Sequence, residues 1–143
     1  MNNGVGLGDT YDALGGAYGA SLERIKAQDR ERAKLALATL MWVCYSERPL
    51  QVDELCHALA VEIGSQEFDP DNVPLIATLL SCCQGLITVD QKASTVRLIH
   101  YTLRECLSTH SDLFPMAHST IAETCLTYLN SQQAGKLSPY PPR

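Results

Sequence analysis

The chain has 143 residues, 45% of them hydrophobic and 6% aromatic, with a formal net charge of −5. That length suits one domain with its own core, and the apolar fraction excludes a wholly disordered chain. No apolar run reaches the ~18 residues of a membrane span, and Met1-Asn2-Asn3-Gly4 lacks the basic start of a signal peptide, so a cytoplasmic protein without a membrane partner is expected.

Residues 1–20 carry Gly4, Gly6, Gly8, Gly15, Gly16 and Gly19 and read as a glycine-rich linker or frayed start. The run Gly4-Val5-Gly6-Leu7-Gly8-Asp9 looks like a dinucleotide loop. It ends in Asp9, has no strand before it, and is not followed at once by a helix. A domain is expected over 21–133. Ser21 to Gln28 forms a short helix. Asp29 then caps a second, whose apolar positions Ala33, Leu37, Leu40, Met41 and Cys44 keep helical spacing until Arg48-Pro49.

Leu50-Gln51-Val52 is a brief extended piece. A helix follows from about Asp53 to Ile63, with Leu55, Leu59 and Ile63 as its stripe and Gly64 as its stop. Beyond an acidic loop from Glu67 to Asn72, Asp71 or Asn72 caps a fourth helix. Pro74 sits in its first turn, Ile76, Leu79, Leu80 and Cys83 face the core, and Gly85 closes it. Leu86 to Val89 and Thr95 to Ile99, either side of Asp90-Gln91-Lys92-Ala93-Ser94, make a two-strand hairpin. Thr102 with Glu105 reads as a capping box for a helix bearing Leu103 and Leu107. A last helix spans about Met116 to Gln133, with Ile121, Cys125, Tyr128 and Leu129 apolar. Residues 134–143 hold three prolines and read as a flexible tail.

Three helices followed by a two-strand wing describe a winged helix-turn-helix, here mainly α with a small β-hairpin and flanked by additional helices. A hairpin alone is marginal in water and must lie on the helices. In such a fold the second helix of the pair enters the major groove on polar and basic side chains. Here that helix, Val73 to Cys83, has no Arg, Lys, Asn or Gln. The stretch Pro49 to Gln91 has seven acids and no base, whereas Arg24 to Arg48 has six bases. Because DNA affinity rests on phosphate neutralisation, nucleic acid is not the expected partner.

Other residues have structural readings. Cys44, Cys56, Cys82, Cys83, Cys106 and Cys125 include no Cys-x-x-Cys, and most lie in apolar helical patterns, so reduced thiols are expected. Cys106 and His110, four apart, with His118 eight further on, are a thin basis for a metal site, and none is expected. His57 reads as a half-exposed polar residue, Trp42 as a core or interface anchor, and Asp69-Pro70-Asp71-Asn72 as helix capping rather than a calcium loop. With no Gly-x-Ser-x-Gly and no His-Glu-x-x-His, an enzyme is not expected.

Leu35 to Ser131 resembles the winged-helix module that follows the NACHT domain in fungal NACHT–ankyrin proteins, which are NLR-like, STAND-class NTPases. The resemblance rests on Leu40-Met41-Trp42-Val43, Arg48-Pro49-Leu50, Asp53-Glu54-Leu55, Phe68 to Pro74, Leu79 to Leu86 and Leu98 to Glu105. It implies a regulatory module that packs on a NACHT NTPase and couples it to downstream ankyrin or other repeats, both within one polypeptide, with oligomerisation on activation. It implies no cofactor for this stretch itself, and ADP or ATP on the adjacent NACHT domain. It also implies that His100, in Ile99-His100-Tyr101-Thr102, contacts the β-phosphate of ADP in the intact protein, although Tyr101 departs from the Met-His-Asp form of the plant relatives. A nucleic-acid-binding winged helix and a free-standing protein-interaction adaptor are the alternatives.

Overall fold

A computed structural model describes residues 18–109 and 113–135. The run Gly4 to Asp9, His110 and most of the expected tail lie outside the described residues. Residues 18–26 form helix α1, so the helical start precedes Ser21 by a turn. Helix α2 spans Arg30–Tyr45, with the Asp29 carboxylate accepting from the Arg32 backbone N–H as its N-cap. Its last turns are buried on every side, from Thr39 through Cys44, which makes α2 the central helix. Trp42 is one of these core anchors.

Strand β1 (Leu50–Gln51) leads directly into α3 (Val52–Ala60). Helix α3 stops three residues short of the expected end. Leu55 is fully buried, but Ile63 lies beyond the helix in a turn and is half-exposed. Gly64 takes φ +86° in that turn, a conformation that glycine adopts without strain. The acidic loop contains a 3-10 turn (Pro70–Asn72) capped by Asp69, which accepts from the Asp71 N–H, and neither Asp71 nor Asn72 caps the helix that follows. Helix α4 then covers only Ile76–Cys82 and follows Leu75 without a side-chain cap, so Pro74 precedes the helix instead of opening it.

Strands β2 (Ile87–Asp90) and β3 (Thr95–Leu98) form the wing, pairing Ile87 with Leu98 and Val89 with Val96. The extended piece at Leu50–Gln51 joins them, giving an antiparallel three-strand sheet of order β1-β3-β2. At the wing tip the Asp90 carboxylate accepts from the N–H groups of Lys92 and Ala93. Val96 and Ile87 point into the core, so the sheet is held by packing on the helices.

Helix α5 (Tyr101–Thr109) buries Leu103 and Leu107 completely. It starts one residue before Thr102, so Thr102 is not the cap; its hydroxyl instead pairs with Tyr18 of α1 at 2.8 Å. Helix α6 (Ala117–Gly135) follows Phe114, whose ring meets Tyr45 edge-on at 5.9 Å. Of its expected apolar face, Cys125 and Leu129 point outward, and Thr124 and Thr127 are buried instead. No helix among the described residues is long and apolar enough to cross a membrane.

Candidate functional site

Two exposed surfaces carry the residues that the sequence singles out. The first is α4. Leu79 and Cys82 anchor it in the core, and Cys83, just after it, places its thiol 3.8 Å from the Ala36 carbonyl of α2. Seven residues are too few for a helix to persist alone, so these anchors hold it. Within the helix Ala77 and Ser81, four apart, face solvent, and Leu75, the extended residue just before it, is 72% exposed. None of these carries charge.

A cation, Arg32, stands beside α4. Arg32 of α2 donates to Ser81 Oγ at 2.9 Å and to Gln28 Oε1 at 3.1 Å. Gln28 in turn donates to the Cys82 carbonyl at 2.9 Å, which satisfies an acceptor at the C-terminal end of α4. The guanidinium is therefore engaged in fastening the α1–α2 junction to α4. Sequence reading missed this network: the spacing of Gln28 and Arg32 marks a helix-type neighbour pair, but nothing in the sequence indicates Ser81 as their partner.

The second surface is the end of the wing. His100 lies between β3 and α5 and is exposed, as are Ile99 and Tyr101, the latter at 82%. Its backbone carbonyl accepts from the Leu103 N–H at 3.1 Å, and Ile99 N–H donates to the Leu86 carbonyl at 2.9 Å. The main chain is thus fixed on both sides while the imidazole projects outward, and it makes no hydrogen bond to another described residue.

The remaining candidates have structural surroundings. His57 is half-buried, stacked on Phe68 at 5.7 Å, with Nδ1 2.8 Å from the Asp53 carbonyl. All six cysteines are free thiols, five buried and Cys125 exposed. Burial pushes the thiols of Cys44, Cys56 and Cys106 above their usual range. Cys83 is pushed up by its hydrogen bond with Cys82 and then by burial. Among the described residues no three His, Cys, Asp or Glu side chains are grouped to hold a metal ion.

A three-strand wing packed on a helix triad is the arrangement of a winged helix, and a family model described as "GPI inositol-deacylase, winged helix domain" matches residues 22–116. The chain belongs to this family. The match takes in α1 from Leu22 through α5, both surfaces described above included, whereas α6 lies outside it. Comparison with curated proteins and with solved structures gives no match. Membership in the winged helix family is compatible with a regulatory or a binding role.

Proposed function

We propose that this winged helix is a non-catalytic docking module that packs on a NACHT-type NTPase domain and couples it to downstream repeats. The observation that carries the reading is the uncharged exposed surface at α4, where Leu75 just before the helix and Ala77 and Ser81 within it face solvent, in a stretch that has seven acids and no base. A groove-reading helix needs bases at those positions; a protein-docking helix needs the apolar and small side chains present here. In this reading His100 donates an imidazole N–H to the β-phosphate of ADP held by the neighbouring domain. Such a charge-assisted bond is worth about 1.5–3 kcal/mol, enough to move an inter-domain equilibrium about tenfold or more. The exposed, outward-facing ring supports that role.

The nucleic-acid reading draws on Lys92 and Arg97, both exposed on the wing. A titration of the chain with duplex DNA at stepped salt concentrations separates the two. The docking reading expects weak binding with a shallow salt dependence, since few phosphates would be neutralised. Tight binding with a steep salt slope would overturn it. The coding region around this chain supplies a second test: an upstream Gly-x-x-x-x-Gly-Lys-Ser/Thr is expected. An independent start and stop would favour the free-standing adaptor.

A further inference from the structure

Cys82 and Cys83 stand side by side where α4 ends, and both are completely buried. The Cys82 thiol donates to the Leu79 carbonyl of its own helix at 3.6 Å, and the Cys83 thiol to the Ala36 carbonyl of α2 at 3.8 Å. The two sulfurs also lie within hydrogen-bonding reach of each other, and the Arg32 guanidinium, fixed on Ser81 Oγ, is close enough to act on Cys82. The pair is chemically asymmetric. The hydrogen bond from Cys83 lowers the Cys82 thiol, burial opposes this, and the Arg32 charge adds to the lowering, whereas Cys83 is pushed up. The thiolate is the nucleophile of cysteine chemistry, so Cys82 is the attacking sulfur and Cys83 keeps its proton. The element that carries them is poorly able to stand alone: α4 has seven residues and no side-chain cap, and the Gln28 amide ties its end through the Cys82 carbonyl. Opening of that end therefore costs less than global unfolding.

We propose that Cys82 and Cys83 form an oxidation site, at which a hydroperoxide converts the two thiols into a disulfide between neighbouring residues and so unwinds the end of α4. In the first step the Cys82 thiolate attacks the hydroperoxide. An S–O bond forms, the O–O bond breaks, the leaving oxygen takes a proton from water, and the sulfur gives up two electrons to become a sulfenic acid. In the second step the Cys83 sulfur attacks Cys82. The S–S bond forms, the S–O bond breaks, and the hydroxyl leaves with the Cys83 proton as water. The net reaction turns two thiols and one hydroperoxide into a disulfide, an alcohol (or water) and water. The present backbone does not accommodate that bond. Adjacent Cα atoms are about 3.8 Å apart, below the roughly 4.4 Å at which ordinary disulfides begin, and adjacent side chains of a helix diverge by about 100°. Closing the ring turns the peptide between the two residues. That breaks the 3.0 Å bond from the Cys83 N–H to the Leu79 carbonyl and draws the Cys82 carbonyl away from Gln28. Because both thiols are buried, the reaction runs through the opened end of α4 and is slow beside oxidation of the exposed Cys125. The site stands whether or not α4 docks on a neighbouring domain.

The test uses the full chain carrying Cys125→Ser, treated with hydrogen peroxide at neutral pH and read by tandem mass spectrometry. Cys82 and Cys83 together should become lighter by two hydrogens before Cys44, Cys56 or Cys106 is oxidised, and dithiothreitol should restore them. Hydrogen exchange on the oxidised chain should show the last turn of α4 unprotected while α2 keeps its protection. Adding Cys83→Ser should stop the reaction at a sulfenic acid that dimedone traps on Cys82, whereas Cys82→Ser should leave Cys83 unlabelled. Leu79→Ala, which loosens α4, should speed disulfide formation roughly tenfold or more. Oxidation of the other buried thiols ahead of this pair, dimedone on Cys83 in place of Cys82, or a disulfide that leaves α4 protected overturns the proposal.

Discussion

Gly64 donates its backbone N–H to Thr127 Oγ1 at 3.2 Å, so the turn after α3 is fastened to the middle of α6 by one hydroxyl. Phe68, further along the same loop, meets Tyr128 edge-on at 5.5 Å, so two neighbouring residues of α6 hold two points in the first half of the loop. Thr127→Val keeps the side-chain shape and removes the acceptor. The expected cost is about 0.5–1.5 kcal/mol, the net worth of an ordinary hydrogen bond. Urea unfolding measures the cost, and hydrogen exchange should show the Gly64 amide losing protection. An unchanged Gly64 exchange rate would mean that the loop is held by Phe68 alone.

Asp29→Ala removes the carboxylate that accepts from the Arg32 N–H at 3.0 Å. Loss of an N-cap costs about 0.5–2 kcal/mol, and here the cap begins the helix on which the whole core is built. Thermal unfolding checks it. Asp29→Asn, which keeps an acceptor oxygen, should recover most of the loss.

Such local signals were legible in the sequence wherever one residue type answers to one backbone need. Asp29 as a cap, Gly85 at φ +86° after α4, and the polar wing tip around Asp90 all follow from short-range chemistry. What escaped depends on distant partners. Thr102 with Glu105 has the spacing of a capping box, yet the Thr102 hydroxyl goes to Tyr18, 84 residues away in sequence, and the helix starts earlier. Leu50–Gln51 is too short to announce a strand and becomes one only by pairing with Val96 and Thr95. In α6 the apolar period misleads because Thr127 is turned inward to accept from the Gly64 N–H and the buried Thr124 satisfies its hydroxyl on the Thr120 carbonyl of its own helix. For the candidate site, the charge pattern of α4 was visible in advance, whereas the engagement of Arg32 with Ser81 was not.

Leu79→Ala tests how α4 is held. Leu79 is completely buried, and truncating a buried leucine costs about 2–5 kcal/mol. Because α4 has seven residues and no side-chain cap, the loss should concentrate there. Amides of α4 should exchange faster while those of α2 keep their protection relative to global unfolding. Uniform loss across both helices would show that α4 and α2 unfold only together.

The buried thiols predict loss of stability in alkali. Cys44, Cys56 and Cys106 are raised above the ordinary 9.0 by burial, so at these three the folded state keeps protons that the unfolded state releases, whereas the hydrogen bond between Cys82 and Cys83 lowers one thiol and raises the other. The contribution of the three is fully present below about pH 9 and is lost as pH rises through the higher folded values. Unfolding free energy measured from pH 8 to 10.5 should therefore fall, and Cys106→Ala should make the fall shallower. Tyr and Lys titrate in the same window, so the change in slope on substitution is the readout. In parallel, a thiol reagent at neutral pH should modify Cys125 quickly and the five buried cysteines only on unfolding. Rapid modification of more than one thiol in the folded protein would contradict the packing around α2 and α4.

His100→Ala separates a structural histidine from one kept for contact with a neighbour. The ring is exposed, and the turn around it is held by main-chain bonds from the Leu103 N–H to the His100 carbonyl and from the Ile99 N–H to the Leu86 carbonyl. Removing the imidazole therefore leaves every described bond in place. Surface changes of this kind stay within about 0.5 kcal/mol, so the melting temperature of this chain should not move. If the proposed docking on a NACHT-type NTPase holds, the same substitution in a protein carrying both domains should speed ADP release about tenfold, because one charge-assisted hydrogen bond is lost. His100→Gln, which keeps a side-chain N–H donor, should recover part of the retention. A loss of more than 1 kcal/mol in the isolated chain with ADP release unchanged in the intact protein would make His100 a residue of the wing's own architecture.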